Sequence, residues 1–146
     1  MSIAIRAARL DDAAAIAVLT VQLGYEATTH EVAARLERLL ADDESAVLVA
    51  PDHDDEPLGW LHVYLHRSIE SSRTARIGGL VVDESQRSLG IGLALLEAAE
   101  AWAREHEVTR MTLYSRQSRE QAHRFYERSG YRIVKHSYQL EKDLAR

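Results

Sequence analysis

The pattern of hydrophobic and polar positions divides the chain into short segments of two kinds. Apolar runs and strict alternation predict β-strands, because successive side chains of a strand point to opposite faces. The clearest strand signal follows Leu58, where Leu61, Val63 and Leu65 alternate with polar or aromatic residues. The predicted strands cover residues 3–7, 46–50, 58–66, 75–82, 111–114 and 131–140.

Apolar residues three or four positions apart predict the α-helices between these strands. Asp11 or Asp12 suits the N-cap of the first helix, which ends at Leu23 because Gly24 is a typical stop. Three further helices are predicted over residues 29–40, 90–106 and 118–129. Strands interleaved with helices predict a single α/β or α+β domain, residues 1–146, built on a central mixed sheet.

Composition limits the classes of function. The chain has no cysteine, which excludes disulfides, thiolate metal sites and a cysteine-bound acyl intermediate. A net charge of −5 without a basic stripe argues against nucleic-acid binding. No apolar run approaches the roughly 20 residues that cross a bilayer, and no signal peptide is visible. We therefore expect a cytoplasmic protein without membrane partners.

Two polar segments raise the question of a metal site. The acidic turn over residues 51–57 is typical of a solvated hairpin end, with a cation site as the alternative. His62 and His66 lie four positions apart on a strand, hence roughly 13 Å apart along it, which is too far to bind one ion together. They line either a polar pocket or the surface. We expect no metal.

The segment that follows Val82 has the chemistry of an anion-binding loop. It leaves a predicted strand and opens a predicted helix, whose first turn presents unpaired amides and the positive end of the helix dipole. No acidic residue lies between Arg87 and Ala94. Gly90 and Gly92 allow an anion to approach the main chain. These features together suit a pyrophosphate.

Two other phosphate-binding motifs are excluded by the residues themselves. The P-loop pattern Gly-x-x-x-x-Gly-Lys-Ser/Thr is absent. The dinucleotide pattern Gly-x-Gly-x-x-Gly fails because Leu95 stands where the third glycine belongs. A Gly-x-Gly turn alone is more often an ordinary connection, so the assignment needs a second motif.

Two motifs together resemble the GCN5-related N-acetyltransferase (GNAT) family. They are Arg87-x-x-Gly90-x-Gly92 after Leu80-Val81-Val82, and Arg119-x-x-Ala122-His123-x-Phe125-Tyr126-Glu127-x-x-Gly130-Tyr131. Their order and spacing agree with the family, and the resemblance spans nearly the whole chain. It implies an acetyltransferase with the GNAT fold, in which a mixed, mostly antiparallel sheet splays between two parallel central strands and is flanked by helices.

The resemblance implies acetyl-CoA as the acetyl donor and assigns its binding to the first motif. The pantetheine arm is expected on the backbone of Leu80, Val81 and Val82, beside a bulge that consecutive Gly78 and Gly79 would suit. The pyrophosphate is expected on the main-chain amides of Arg87, Ser88, Leu89, Gly90, Ile91 and Gly92.

Tyr126 matches the family's tyrosine beside the thioester sulfur and is the expected catalytic residue. A phenol is protonated at neutral pH and can donate its proton to the departing thiolate. By spacing alone, Tyr126 suits a core position beside Phe125 equally well. The absence of cysteine and of a Gly-x-Ser-x-Gly turn is consistent with direct transfer in a ternary complex.

Two positions depart from the family pattern. Arg119 stands where many members have an asparagine that contacts the pantetheine arm, so it either meets a phosphate or caps the helix region. The family's glutamate base has no counterpart in the segment 77–79, which contains no side chain able to accept a proton. Solvent or a neighbouring residue must replace it. The candidates are His62, Tyr64, His66 and Glu70.

The sequence leaves the acceptor open. The resemblance implies transfer to a primary amine of a small molecule or peptide, and aminoglycosides, other polyamines, amino acids and protein amines all qualify. A larger acyl donor or a hydroxyl acceptor is an alternative. So is a non-catalytic acyl-CoA-binding sensor or regulatory module, which the missing glutamate favours and Tyr126 disfavours. Many relatives dimerise, so the resemblance also implies a homodimer.

Overall fold

The computed structural model describes residues 3–145, which fall into two units. The first unit ends at Tyr114, and the second begins at Ser115. Residues 1, 2 and 146, the ends of the predicted domain, lie outside the described part. No helix within the described residues combines the length and the apolar character that membrane crossing requires.

One mixed sheet forms the centre of the first unit. Its strand order is β1-β2-β3-β4-β5, and every neighbouring pair is antiparallel except β4 and β5, which are parallel. The strands are β1 (Arg6–Ala7), β2 (Ser45–Pro51), β3 (Pro57–His66), β4 (Thr74–Val82) and β5 (Met111–Leu113). The predicted mixed, mostly antiparallel sheet is confirmed, although its first strand covers two residues instead of five.

Helices cover the sheet, and their positions agree with the apolar periodicity. They are α1 (Ala13–Leu23), α2 (Thr29–Leu40) and α3 (Ile91–Glu105). Gly24 ends α1 with a left-handed φ of 110°, as predicted. Thr28 begins α2 through a reciprocal pair of hydrogen bonds with Glu31, each 3.1 Å long.

Asp12 occupies the N-cap position of α1 but makes no capping hydrogen bond, which corrects its predicted role. Its buried carboxylate instead accepts two hydrogen bonds from the guanidinium of Arg6, at 2.8 and 3.0 Å, and one from the backbone N–H of Arg9. Burial acts to raise the pKa of Asp12, but these hydrogen bonds outweigh burial and lower it. The acid therefore ties β1 to the start of α1.

The core has one part on each face of the sheet. On one face, Leu61 and Val63 of β3 are fully buried, and α3 packs against this strand with fully buried Leu95 and Leu96. On the other face, α1 and α2 cover β2, and Trp60 of β3 packs against the edge of this cluster. The cluster consists of Ala8, Ala13, Ile16, Ala17, Val32, Leu36, Val47 and Val49.

The second unit contains α4 (Glu120–Arg128), which confirms the helix predicted over 118–129. The strand predicted over 131–140 is wrong, because no strand follows α4 in the described residues. A strand exists only through hydrogen bonds to a neighbour, and residues 131–145 pair with none of the described strands. Apolar character alone therefore misled the prediction.

Candidate active site

β4 and β5 separate partway along the sheet. Their parallel pairing covers three positions and ends at Ile77 opposite Leu113, where β5 stops. β4 continues through Leu80, Val81 and Val82, which pair with β3 on its other side. The backbone groups of this stretch that point away from β3 have no strand partner among residues 3–145. The predicted splay between the parallel strands thus leaves an open backbone edge.

The loop after β4 is anchored at its beginning by hydrogen bonds. The backbone N–H of Asp83 donates to Leu58 O at 2.7 Å, and its carboxylate accepts from Ser85 N–H at 3.2 Å. The backbone N–H of Glu84 donates to the side-chain oxygen of Gln22, on α1, at 2.9 Å. Gln22 carries no sequence signal for this role, because the two partners lie 62 positions apart.

The anchored loop delivers the predicted phosphate-binding segment to the start of α3. Ser88 and Gly90 adopt left-handed φ values of 67° and 89°, and Gly90 occupies the N-cap position without a side-chain cap. The N–H of Ala94 donates to Gly90 O at 3.0 Å. The N–H groups of residues 91–93 precede this bond and therefore remain available to a ligand.

Charge around these amides favours an anion. The first turn of α3 contains no acidic residue, so nothing within it neutralises the positive end of the helix dipole. Arg87 is exposed, and its Nε donates to Val82 O at 3.2 Å, which holds the guanidinium beside the end of β4. The six residues predicted to hold the pyrophosphate, 87–92, thus surround one helix N-terminus.

Aromatic side chains of β3 form a half-buried wall on the sheet face opposite α3. His62 stacks on Tyr64 with ring centroids 5.3 Å apart, and its Nε2 lies 2.8 Å from Ser45 Oγ on β2. Burial lowers the pKa of His62, and the charge of Asp42 partly opposes this effect. Sequence reasoning missed Ser45, whose contact with His62 arises only from the pairing of β2 with β3.

The four predicted base candidates differ in their surroundings. His62, Tyr64 and His66 are half-buried on the same face of β3, whereas Glu70 is exposed in the following loop. His66 lies at the last position of the strand, opposite Thr74. The structure thus brings two of the four, His62 and Tyr64, into direct contact.

Glycines on β4 accommodate this aromatic wall. The register with β3 moves from His62–Gly79 to Val63–Ile77, which leaves Gly78 as the extra residue of a bulge. A Cβ atom at Gly78 would lie 2.7 Å from His62 Nδ1, and one at Gly79 would lie 2.7 Å from the Trp60 ring. The predicted bulge is confirmed, and side chains of β3 fill the space that its glycines leave.

In the acidic hairpin turn over residues 51–57, the side chain of Asp52 stabilises the turn itself. Asp52 accepts hydrogen bonds from the backbone N–H groups of Asp54 and Glu56 at 2.8 and 3.0 Å. Asp52, His53 and Asp54 could approach one ion, but His53 and Asp54 are exposed. Exposed acidic groups of this kind are common without an ion, so this turn remains a solvated hairpin end in our interpretation.

Tyr126 lies in α4, within the second unit. Its ring makes edge contacts with Phe125 and Tyr131, at centroid distances of 5.1 and 5.8 Å. Partial burial raises the pKa of Tyr126, and the positive charge of Arg119 acts in the opposite direction. Arg119 occupies the N-cap position of α4 but makes no side-chain capping bond. The capping role that the sequence offered for Arg119 is therefore not observed.

Comparison with known proteins agrees with this geometry. The model of the acetyltransferase (GNAT) family matches residues 10–131. The chain is 34% identical over 131 residues to an aminoglycoside N(6′)-acetyltransferase type 1 of Stenotrophomonas maltophilia. The aligned region covers 87% of this chain and 84% of the relative.

Solved structures of other proteins share the fold. An aminoglycoside 6′-N-acetyltransferase of Acinetobacter baumannii superposes with a TM-score of 0.85 and 15% identity, over 99% of this chain and 100% of that one. A transcriptional regulator of Bacillus halodurans C-125 also gives a TM-score of 0.85, with 21% identity, over 96% and 99% of the two chains.

The family match begins before α1 and ends after α4, so it includes the sheet, the anion-binding segment and the second motif. The relative from Stenotrophomonas maltophilia is an N-acetyltransferase, and most of both chains is aligned. This chain therefore belongs to the GNAT family of acetyltransferases and is an N-acetyltransferase enzyme.

Proposed function

We propose that this enzyme transfers the acetyl group of acetyl-CoA directly to a primary amine of a small molecule, in a ternary complex. The observation that carries this proposal is the set of free amides at the start of α3, next to the open edge of β4. We further propose that residues 1–146 form one catalytic domain, which the family match across both units supports. Its location would be the cytoplasm, where the donor is available.

The backbone would bind most of the donor. Leu80, Val81 and Val82 offer unpaired N–H and C=O groups to the amides of the pantetheine arm, much as a neighbouring strand would. The amides of residues 87–92 would hold the pyrophosphate, and the guanidinium of Arg87 adds a second positive charge. Arg119 would contribute a further charge to the donor, as its place in the second motif suggests.

Side chains would manage the protons of the reaction. The donor supplies a thioester, whose carbonyl carbon the amine attacks and whose sulfur leaves as a thiolate. Tyr126 would donate its phenolic proton to that sulfur, and its raised pKa keeps the phenol protonated at neutral pH. The chain contains no cysteine that could carry the acetyl group, which supports direct transfer.

We propose an aminoglycoside or a related polyamine as the acceptor. The relative at 34% identity is an aminoglycoside N(6′)-acetyltransferase. Such acceptors carry several positive charges, and Asp43 and Asp42 lie two and three positions before Ser45, the partner of His62. Asp42 is close enough to influence the pKa of His62. The net charge of −5 adds a weak general attraction for cations.

A panel of amines tests the activity and the acceptor together. Release of coenzyme A should be fastest with aminoglycosides that have a 6′-amino group and should fall by about 100-fold or more with matched 6′-hydroxyl compounds. Mass spectrometry should find a single added acetyl group. Amino acids and peptides serve as comparison acceptors. Coenzyme A binding without turnover of any amine would favour the sensor function instead.

The anion-binding segment is tested by placing a negative charge in it. Gly92→Asp should raise the Kd for coenzyme A by about 100-fold or more, because a carboxylate would repel the pyrophosphate and occupy its helix end. Isothermal titration calorimetry measures this change. Ala101→Asp, at an exposed position of the same helix, is the matched control and should bind normally. Equal affinity in both variants would disprove the proposed pyrophosphate site.

Tyr126→Phe tests the proton donor. We expect kcat to fall by roughly tenfold to a thousandfold, since the variant keeps the ring but loses the proton that the thiolate receives. The Kd for coenzyme A should change little. Tyr138→Phe, at a tyrosine that is almost fully exposed, should leave kcat unchanged. Normal turnover by Tyr126→Phe would show that another group supplies the proton.

We also propose that two copies of the chain form a homodimer. Five apolar side chains within residues 132–145 are exposed, namely Ile133, Val134, Tyr138, Leu140 and Leu144. An interface would bury this apolar surface. Each copy also presents an edge strand, β5, so two copies could supply each other with the missing strand partner.

Sedimentation equilibrium at micromolar concentration tests this assembly. The wild type should have twice the chain mass of 16.4 kDa. Leu140→Asp should shift the equilibrium towards the monomer, because it places a charge in the apolar segment. A wild type that remains monomeric at this concentration would contradict the proposal.

A further inference from the structure

We propose that His62 is the general base that accepts the proton of the acceptor amine, in place of the carboxylate that the bulge of β4 lacks. This inference rests on the proposed acetyl transfer and adds the residue that completes it. It selects one of four residues between which the sequence does not discriminate.

The bulge and His62 fit together as a unit. Gly78 is the extra residue of β4, and a Cβ atom there would lie 2.7 Å from His62 Nδ1 and 3.4 Å from its Cε1. The separation from Nδ1 is too short for a real Cβ atom, so the imidazole occupies the space that a side chain at position 78 would need. A proton acceptor therefore reaches the bulge from the neighbouring strand.

The hydrogen bonds of His62 leave the required nitrogen free. Its Nε2 lies 2.8 Å from Ser45 Oγ, and when Nε2–H donates to this hydroxyl, the lone pair resides on Nδ1. Nδ1 has no hydrogen-bond partner within the described part of the chain. It is also not fully buried there, unlike the unpaired Nε1 of Trp60. Nδ1 can therefore receive a proton from an incoming group.

The electrostatic surroundings of His62 favour a neutral ring. Burial lowers its pKa from the ordinary value of 6.5, and Asp42 opposes this change. Tyr64 faces the ring by stacking, whereas Arg76, opposite Tyr64 on β4, is directed to the Tyr114 ring at 4.9 Å. The imidazole is thus unprotonated at neutral pH and ready to act as a base.

The other candidates fit the role less well. His66 lies four positions further along β3, roughly 13 Å from His62, at the end of the strand and away from the bulge. Glu70 is exposed in the loop that follows. Tyr64 stacks on His62 and orients its ring, which makes Tyr64 a positioning residue.

The proposed step conserves protons and charge. As the amine nitrogen forms its bond to the acetyl carbon, its N–H bond breaks, and the proton passes to His62 Nδ1. The ring becomes an imidazolium whose Nε2–H still donates to Ser45 Oγ. Tyr126 supplies the separate proton that the sulfur takes up as its bond to the acetyl carbon breaks. The imidazolium afterwards releases its proton to water, and the Tyr126 phenolate regains one from water, so both groups return to their starting state.

His62→Gln tests the base, because glutamine can keep a hydrogen bond to Ser45 but cannot accept a proton at neutral pH. We expect kcat/KM for the amine to fall by about 100-fold or more. His66→Gln, on the same face of the same strand, is the matched control and should retain nearly full activity. Coenzyme A affinity and thermal unfolding should be similar in both variants, which separates lost chemistry from lost folding.

The pH profile provides a readout that a structural role would not change. The reactive amine must be unprotonated, so log kcat/KM rises with slope one below the amine pKa. Protonation of His62 should increase this slope to two in the wild type, at pH values below the lowered pKa of its imidazole. The slope should remain one in His62→Gln. If log kcat/KM of His62→Gln still changed from slope one to slope two at the same pH as the wild type, the assignment would be overturned.

Gly78→Ala tests the fit between the bulge and the ring without removing the imidazole. The added methyl group must displace His62, so kcat should fall at least tenfold while coenzyme A still binds. Full activity in Gly78→Ala would contradict the geometry. If the wild type acetylates no amine, acetyl transfer itself fails. Wild-type turnover with normal activity in His62→Gln would reject the base alone.

Discussion

Unpaired backbone amides are the constraint around which the first unit is organised. Buried or not, a peptide N–H group needs an acceptor, and proteins leave few such groups without one. Here β4 extends beyond Ile77, where its pairing with β5 ends, and the N-cap residue of α3, Gly90, provides no side-chain cap. Both sets of free groups lie within one short stretch of chain. In the proposed function, an extended amide-containing molecule with a diphosphate would satisfy both sets.

At the bulge of β4, side chains of the neighbouring strand β3 occupy the space that side chains of β4 would otherwise fill. Gly78 and Gly79 give β4 no side chain at the bulge, and the rings of His62 and Trp60 take up the space. A protein that lacks a carboxylate at this point can thus retain a proton acceptor. The chemistry of a site depends on which groups fill it, not on which strand supplies them.

Much of the fold followed from local signals. Gly24 ended α1 because its left-handed φ suits glycine, and the periodicity of residues 29–40 matched α2 at both ends. The strand predicted over 131–140 failed, because apolar residues show that a segment could pair but not that a partner is present. The capping role of Asp12 failed for a similar reason, since its carboxylate accepts hydrogen bonds from Arg6 and from the backbone N–H of Arg9, and none from α1.

The sequence by itself determined most of the elements and the family, and it predicted the anion-binding character of residues 87–92, because these depend on neighbours within a few positions or on short motifs. Only the tertiary structure decided the surroundings of His62. Ser45 lies 17 positions away along the chain, and Gly78 lies on another strand. Strand register brings these residues together, and register follows from packing of the whole sheet. The sequence therefore did not discriminate between the four candidate bases, whereas the structure places them in different surroundings.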